Sequence, residues 1–446
     1  MLKSQSFKND PRIQEAKKLI LDALKEHQGR LDGPKEADPA LKSRYDGLIE
    51  ELNGLRSNKI HYPYLGSGIG KGTLVELVDG SVKYDFITGI GVHTFGHSSP
   101  LIVEAGIEAA LSDTVMEGHL QQNEDVVELS RLLKEASGLP HAFISSSGAM
   151  ANENGLKVLF QKRAPAYRLL AFENCFVGRT LALSQINDRP KFREGLPPTL
   201  HVDYIPFYDP ERPSESTQEA ARLLTKLLER YPDQYAGMIF ELVQGEGGFY
   251  VGSTEFFVTL ANILKRHSVP LFVDEIQTFG RTPALFAFQY FELEPFVDVV
   301  SIGKLTQVCA TLFSEAVAPK AGLLSQTFIA SVSAIRIAKV IIEALLKGHF
   351  FGEKGRLQRI HDRFVSHLST MGKDVRGPWG IGSMIAFTVY DGSYEKANAF
   401  AYKLFEAGLI VFIAGNNPTR IRLLPPALVV TDEEIDHACR IIRACL

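Results

Sequence analysis

The sequence predicts an α/β protein: a large domain built on a mainly parallel sheet, with a smaller α+β domain beside it. Three observations predict this. From about residue 100 the pattern alternates helical periodicity with short apolar runs, the signature of a sheet with helices on both faces. Two of those runs are apolar as a buried strand requires: 269–273 is unbroken, and 296–302 is Val- and Ile-rich with Asp298 and Ser301 within it. Each run ends abruptly in charge, Asp274-Glu275-Ile276-Gln277 after the first and Gly303-Lys304 after the second. Open α/β sheets place their ligands at such carboxyl ends.

Composition supports a folded enzyme-sized chain and little else. At 446 residues it is long enough for two or three domains. A hydrophobic content of 45% and a charged content of 22% are ordinary for globular proteins and argue against disorder. A net charge of -4 gives no basic surface for nucleic acid or membrane. Cys175, Cys309, Cys439 and Cys445 show no metal-ligand spacing and no CxxC pair. The first residues lack the apolar core of a signal peptide, so a soluble, cytoplasmic protein is expected.

In chain order, helices are expected over 12–27 and from Asp38-Pro39, a cap and first-turn pair followed by an apolar stripe. Gly66-Ser67-Gly68-Ile69-Gly70-Lys71-Gly72-Thr73 lacks the Walker spacing and follows no buried strand, so it reads as a flexible entry loop. A hairpin over 74–86, turned by Asp79-Gly80, comes next. Helices are expected over 101–111, 125–136, 150–161, 218–230 and 255–267, with strands over 141–144, 169–172 and 238–240 between them. A long helix runs from Ser331 towards Lys347, and strands lie near 382–388 and 421–424. The expected division is 1–90, an N-terminal part of the small domain, 91–335, a large cofactor-binding domain, and 336–446, a C-terminal small domain.

A lysine at one strand end with an aspartate at a neighbouring one suits a Schiff base to pyridoxal phosphate. The aspartate would keep the ring nitrogen protonated and the ring an electron sink. Taken singly, either residue is more often a surface salt-bridge partner. Ser145-Ser146-Ser147-Gly148-Ala149, between a strand and a helix, offers small residues and a helix N-terminus to a phosphate, although a plain capped turn reads the same way. Phe176, past the strand 169–172, can lie flat on an aromatic cofactor, and Arg179 can grip a carboxylate. Core packing and a surface ion pair are the blander readings. Glu241-Leu242-Val243-Gln244-Gly245-Glu246 and Arg420-Ile421-Arg422 carry polar groups that an edge strand would also carry.

These pieces together resemble the class III pyridoxal-phosphate aminotransferases, from roughly residue 60 to the end. The matching motifs are Ser147-Gly148-Ala149 with Ala151-Asn152-Glu153, Phe176 with Gly178-Arg179-Thr180, and Gln244-Gly245-Glu246-Gly247-Gly248. Asp274-Glu275-Ile276-Gln277, Gly303-Lys304, and Arg422 with Pro425-Pro426 complete the series. The run after Lys304 looks most like the lysine 6-aminotransferase branch, among the ornithine and acetylornithine types.

The resemblance implies a fold type I transferase with a seven-stranded sheet, working as a homodimer. It implies that Lys304, Asp274 and Phe176 are catalytic. Ser147, Gly148 and Ala149 would hold the phosphate, Gln277 the phenolic oxygen, and Ile276 the ring face opposite Phe176. Thr327 would reach a phosphate in the neighbouring subunit. Arg179, Glu246 and Arg422 would bind substrate, Glu246 masking Arg422 while a diamino acid is bound. The implied reaction is a ping-pong transfer of a terminal amino group from lysine, ornithine or acetylornithine to 2-oxoglutarate. An aminomutase, a racemase, or a catalytically silent binding protein on the same scaffold are the competing readings. The chain departs from the family's pattern at Met150, at Val177, between Thr278 and Phe279, over Ala310–Phe313, and at Ile329-Ala330-Ser331.

Overall fold

The structure, a computed structural model, describes residues 2–113 and 115–446. The chain divides into two compact units. One comprises Ser112–Gln358 with Gly380–Gly382; the other comprises Met1–Leu111, Arg359–Trp379 and Ser383–Leu446.

The first of these carries, in chain order, α1 (Glu124–Ser137), β1 (His141–Ser145), α2 (Gly148–Arg163), β2 (Arg168–Phe172) and β3 (His201–Ile205). Then follow α3 (Pro213–Arg230), β4 (Tyr235–Glu241), α4 (Thr254–Arg266), β5 (Leu271–Glu275), β6 (Val297–Ile302), β7 (Cys309–Phe313) and α5 (Val332–Lys347). The strands form one seven-stranded sheet in the order β1-β7-β6-β5-β4-β2-β3. The pairs β6/β5, β5/β4, β4/β2 and β2/β3 are parallel, and β7 runs antiparallel to both β6 and β1.

Local chemistry explains where these elements start. Asn123, Ser147, Ser253 and Ser331 each accept a backbone N–H of the first turn of the helix that follows, satisfying a donor that the helix leaves open. Every residue of β4 and of β5 is buried, which is why both read as continuous apolar runs with no alternation. Helix α2 lies directly on the sheet because Gly155 has no side chain; a Cβ there would come within 2.3 Å of the Phe272 ring. On α4, Phe256 and Phe257 pack against Phe172 and Phe240, with Phe240 and Phe257 stacked at 5.7 Å. Each such fully buried ring contributes roughly 1.5–3 kcal/mol of transfer free energy.

Two strands of this sheet stood outside the sequence expectation. β3, His201-Val202-Asp203-Tyr204-Ile205, buries only Ile205, so no continuous apolar run marks it, and its polar/apolar alternation is too short to stand out between two proline-containing loops. β7 contains Ala310–Phe313, one of the stretches that depart from the pattern of the family the sequence resembles. It is a fully buried strand, its Thr311 hydroxyl bonded to the Ala151 carbonyl of α2 at 2.8 Å.

In the other unit the helix from Asp38 is Pro39–Leu55, with the Asp38 carboxylate accepting from Ala40 N–H at 2.9 Å. Gly66–Lys71 is a strand, not the flexible loop that its glycines suggested. It pairs antiparallel with Leu74–Leu77, Gly70 opposite Val75 and Lys71 opposite Leu74. Glycines contribute no side-chain pattern, so backbone pairing to an already formed hairpin made this strand, and sequence periodicity could not show it. Leu74–Leu77 and Val82–Asp85 form the expected hairpin, and Leu409–Ile410 adds to it in parallel. Met384–Val389, Arg420–Leu423 and Phe412–Ala414 form an antiparallel sheet. The helix Pro100–Ala110 lies in the unit of the chain ends and α5 in the sheet unit. No helix of the described residues is long and apolar enough to cross a membrane. The four cysteines are buried and unpaired.

Candidate active site

The site in the sheet unit is built where β1, β2, β4, β5 and β6 end. In register on adjacent parallel strands, Asp274 of β5 stands opposite Glu241 of β4 and Ser301 of β6. Asp274 is 5% exposed. One of its oxygens accepts from Ile276 N–H at 2.9 Å and the other from the Asn152 amide at 2.6 Å. The same Asn152 nitrogen reaches the Val177 carbonyl at 2.6 Å, so α2 ties the aspartate to the loop that carries Phe176. Burial pushes the Asp274 carboxyl up; these hydrogen bonds and the Lys304 ammonium pull it back down.

Glu241 is buried too, and both its oxygens serve backbone donors. Oε1 accepts from Phe176 N–H at 3.0 Å and Oε2 from Gly245 N–H at 2.9 Å. One carboxyl group thereby clamps the loop of Phe176 and Arg179 to the turn that leads into Glu246. Burial and the neighbouring Asp274 push its pKa up to about 8.

Ile276 sits between the two ends of the site. A Cβ on Gly148 would meet its side chain at 3.1 Å, and a Cβ on Gly303 would meet it at 3.0 Å. Gln277 lies against the Glu246 turn, its amide 2.7 Å from where a Gly245 Cβ would stand. A Cβ on Gly178 would lie 3.4 Å from the Ala149 Cβ, which brings the Phe176 loop to the first turn of α2. Lys304 follows β6 with φ at +51°, a left-handed conformation that costs a non-glycine residue about 1 kcal/mol or more.

Several of these residues could hold a phosphorylated, cationic aromatic ring. Among the described residues, the N–H groups of Gly148 and Ala149 at the start of α2 have no acceptor, since Ser147 Oγ takes Met150 N–H at 3.2 Å. Two free donors at the N-terminus of a 16-residue helix suit a phosphate dianion. The buried Asp274 calls for a cation, and one end of the buried Gln277 amide has no partner.

Of the expected residues, Ser147, Gly148, Ala149, Phe176, Arg179, Glu246, Asp274, Ile276, Gln277 and Lys304 all lie in this unit, on strand ends, in the segments that follow them or in the first turn of α2. Thr327 is exposed, on a segment that packs against 117–119. Arg422 belongs to the other unit, fully buried on Arg420–Leu423 with its guanidinium 5.1 Å from the Phe412 ring centre.

Sequence reasoning gave no role to Asn152, Glu241, Arg189 or Phe192. The first two carried a visible signal, a polar group on a helix start and an acid at a strand end. Arg189 and Phe192 lie in a loop without periodicity. Phe192 meets Phe176 edge-on, ring centres 5.8 Å apart at 79°. The guanidinium carbons of Arg179 and Arg189 lie 4.4 and 5.7 Å from the Phe192 ring centre, and Arg189 donates to the Glu246 carbonyl at 2.8 Å.

Residues 61–446 match the family described as aminotransferase class-III. The acetylornithine aminotransferase of Archaeoglobus fulgidus is 31% identical over 384 residues, covering 84% of this chain and 93% of the relative. That of Bacillus cereus is 31% identical over 388 residues, with the same two coverages. Among solved structures, a lysine aminotransferase from M. tuberculosis superposes with a TM-score of 0.79 at 23% identity, covering 90% of this chain and 98% of that one. An ornithine aminotransferase from Toxoplasma gondii ME49 gives 0.76 at 23% identity, covering 92% and 98%. The chain belongs to the class-III aminotransferases, and its cofactor is pyridoxal phosphate.

Proposed function

We propose that this class-III aminotransferase moves the terminal amino group of a diamino acid, of the lysine, ornithine or acetylornithine kind, to 2-oxoglutarate in a ping-pong cycle. The observation that carries the reading is Arg179. Its guanidinium stands at the Phe176–Phe192 pair with no carboxylate within ion-pair distance among the described residues. An unneutralised arginine at that place fits the distal carboxylate that both a diamino acid and 2-oxoglutarate present. The names of the relatives and neighbours, acetylornithine, lysine and ornithine aminotransferases, support the same donor class.

Bound pyridoxal phosphate supplies an electron sink for the charge left on the amine-bearing carbon. The chain's own residues do the rest. Gly148 and Ala149 N–H groups hold the phosphate, with Ser147 beside them. Asp274 keeps a proton on the ring nitrogen, because a buried carboxylate stabilises a cation facing it. Phe176 and Ile276 enclose the ring, and Gln277 bonds its phenolic oxygen. Lys304 Nζ anchors the cofactor and carries the proton from the amine-bearing carbon. Arg422 takes an α-carboxylate, Glu246 tempers that attraction for a diamino acid, and Thr327 serves a second subunit of a homodimer; these three roles rest on the family resemblance.

The test is a screen of amino donors with 2-oxoglutarate as acceptor, following the cofactor's absorbance. The expected result is a change on adding one diamino acid that 2-oxoglutarate reverses. Turnover of a single amino acid without any acceptor would replace the reading with an aminomutase or racemase.

A further inference from the structure

Arg179 is not alone. Arg189 approaches the same Phe192 ring, so the two guanidinium carbons can be no further apart than their two distances to that ring combined, 4.4 and 5.7 Å. The arrangement is held from several sides. Arg189 is half-buried and donates to the Glu246 carbonyl, while Phe192 is fixed edge-on against Phe176. Arg193 braces the loop by donating to the Asn187 carbonyl at 2.5 Å.

Neither guanidinium is neutralised. Among the described residues no carboxylate lies within ion-pair distance of Arg179 or Arg189. Of the acids nearest in sequence or on the flanking helix, Asp188 accepts from Asn174 N–H at 2.9 Å and Glu153 accepts from the Thr180 hydroxyl. Two unpaired cations on one aromatic ring repel one another, and an anion placed between them relieves that repulsion.

We propose that Arg189 is the second guanidinium of the distal-carboxylate subsite, and that the pair selects donors lacking a free α-ammonium. This rests on the aminotransferase reading above. A free diamino acid brings its α-ammonium to the subsite together with its α-carboxylate, so the second guanidinium meets a like charge on the carbon that bears its anion. An N-acylated diamino acid, or an ω-amino acid with no α-amine, brings the carboxylate alone. The favoured substrate class is therefore an anion-tailed primary amine whose far end carries net charge -1. Selection here works by repelling the wrong substrate as much as by binding the right one.

The test compares kcat/KM for N-acetylornithine, 5-aminopentanoate and ornithine in the holoenzyme, in Arg189→Gln and in Arg189→Lys. Glutarate, an unreactive dicarboxylate, is titrated calorimetrically into each. The wild type is expected to prefer both α-ammonium-free donors over ornithine by about tenfold or more, as one added like-charge contact in a partly desolvated site dictates. Arg189→Gln should bring the three donors within about threefold and weaken glutarate by about tenfold, and Arg189→Lys should retain most of both effects. Equal cofactor loading and Tm in the variants exclude a folding defect. The assignment is overturned if Arg189→Gln leaves the donor ratio and the glutarate Kd unchanged. It is equally overturned if 5-aminopentanoate falls with ornithine, since that result means recognition of the acyl group itself. If no amine alters the cofactor's absorbance in the wild type, the aminotransferase reading falls and takes the subsite with it.

Discussion

Asn152→Ala removes a hydrogen bond from the one carboxylate on which the cofactor's chemistry depends. In the native chain the Asn152 amide donates to Asp274 Oδ2 and to the Val177 carbonyl, both at 2.6 Å, in a buried site. A hydrogen bond to a charged, buried acceptor contributes roughly 1.5–3 kcal/mol. Its loss acts on the ionised form of Asp274 alone, so it should raise that carboxyl by about one to two pKa units at about 1.36 kcal/mol per unit. A more basic Asp274 competes better for the proton that the ring nitrogen must keep. The single-turnover rate with a good donor should then fall about ten- to a hundredfold. The assay is stopped-flow absorbance of the donor half-reaction across pH, in wild type, Asn152→Ala, Asp274→Asn and the double variant. Asp274→Asn alone should cost more, of the order of other single electrostatic deletions, roughly 10²–10³. In the double variant Asn152→Ala should add little, because the charge that it served is already gone. Full additivity would refute the argument and leave Asn152 as a spacer between α2 and the Phe176 loop.

Lys304→Ala should abolish turnover, and borohydride reduction of wild type followed by peptide mapping should find the cofactor on Lys304; recovery on Lys320 or Lys339 would displace the site. Gly148→Ala places a Cβ 3.1 Å from Ile276 at the first turn of α2, so cofactor affinity should drop at least several-fold in equilibrium dialysis while far-UV circular dichroism stays unchanged. Glu241 yields a pH prediction. Its pKa is raised by burial and by Asp274 from 4.5 to about 8, so its contribution to stability is complete below pH 4.5 and is lost as the pH rises through about 8. The Tm of the cofactor-free protein should therefore fall between pH 5 and 8.5 by more in wild type than in Glu241→Gln, and equal slopes would show that Glu241 does not titrate in this window. The same variant should raise KM for the donor more than it lowers kcat, since it loosens the Phe176–Arg179 loop at Gly245 and Phe176 without removing a group that contacts the ring.

Much of this protein was legible in its chain because the physical signals were local. Apolar runs marked β5 and β6, helical periodicity marked the helices between strands, and a lysine and an aspartate at strand ends marked the chemistry. Six short motifs in one order then specified the family. What escaped were the features that exist only between segments. Gly66–Lys71 has no side-chain pattern and became a strand through backbone pairing with a hairpin. β7 was hidden in a rewritten stretch because nothing in Cys309-Ala310-Thr311-Leu312-Phe313 says that it runs antiparallel between β6 and β1.

The same division holds within the site. The sequence by itself determined which reactive groups are present, since each stands at the end of an element whose period or composition is local. Tertiary structure alone decided what surrounds them. Register across β4 and β5 set Glu241 opposite Asp274, though 33 positions of chain separate them in the sequence. Packing of α2 gave that aspartate its Asn152 donor, and loop closure put Arg189 and Arg179 on one ring. A pKa, a hydrogen-bond partner and an unneutralised charge depend on distance through space, and spacing along the chain does not encode them.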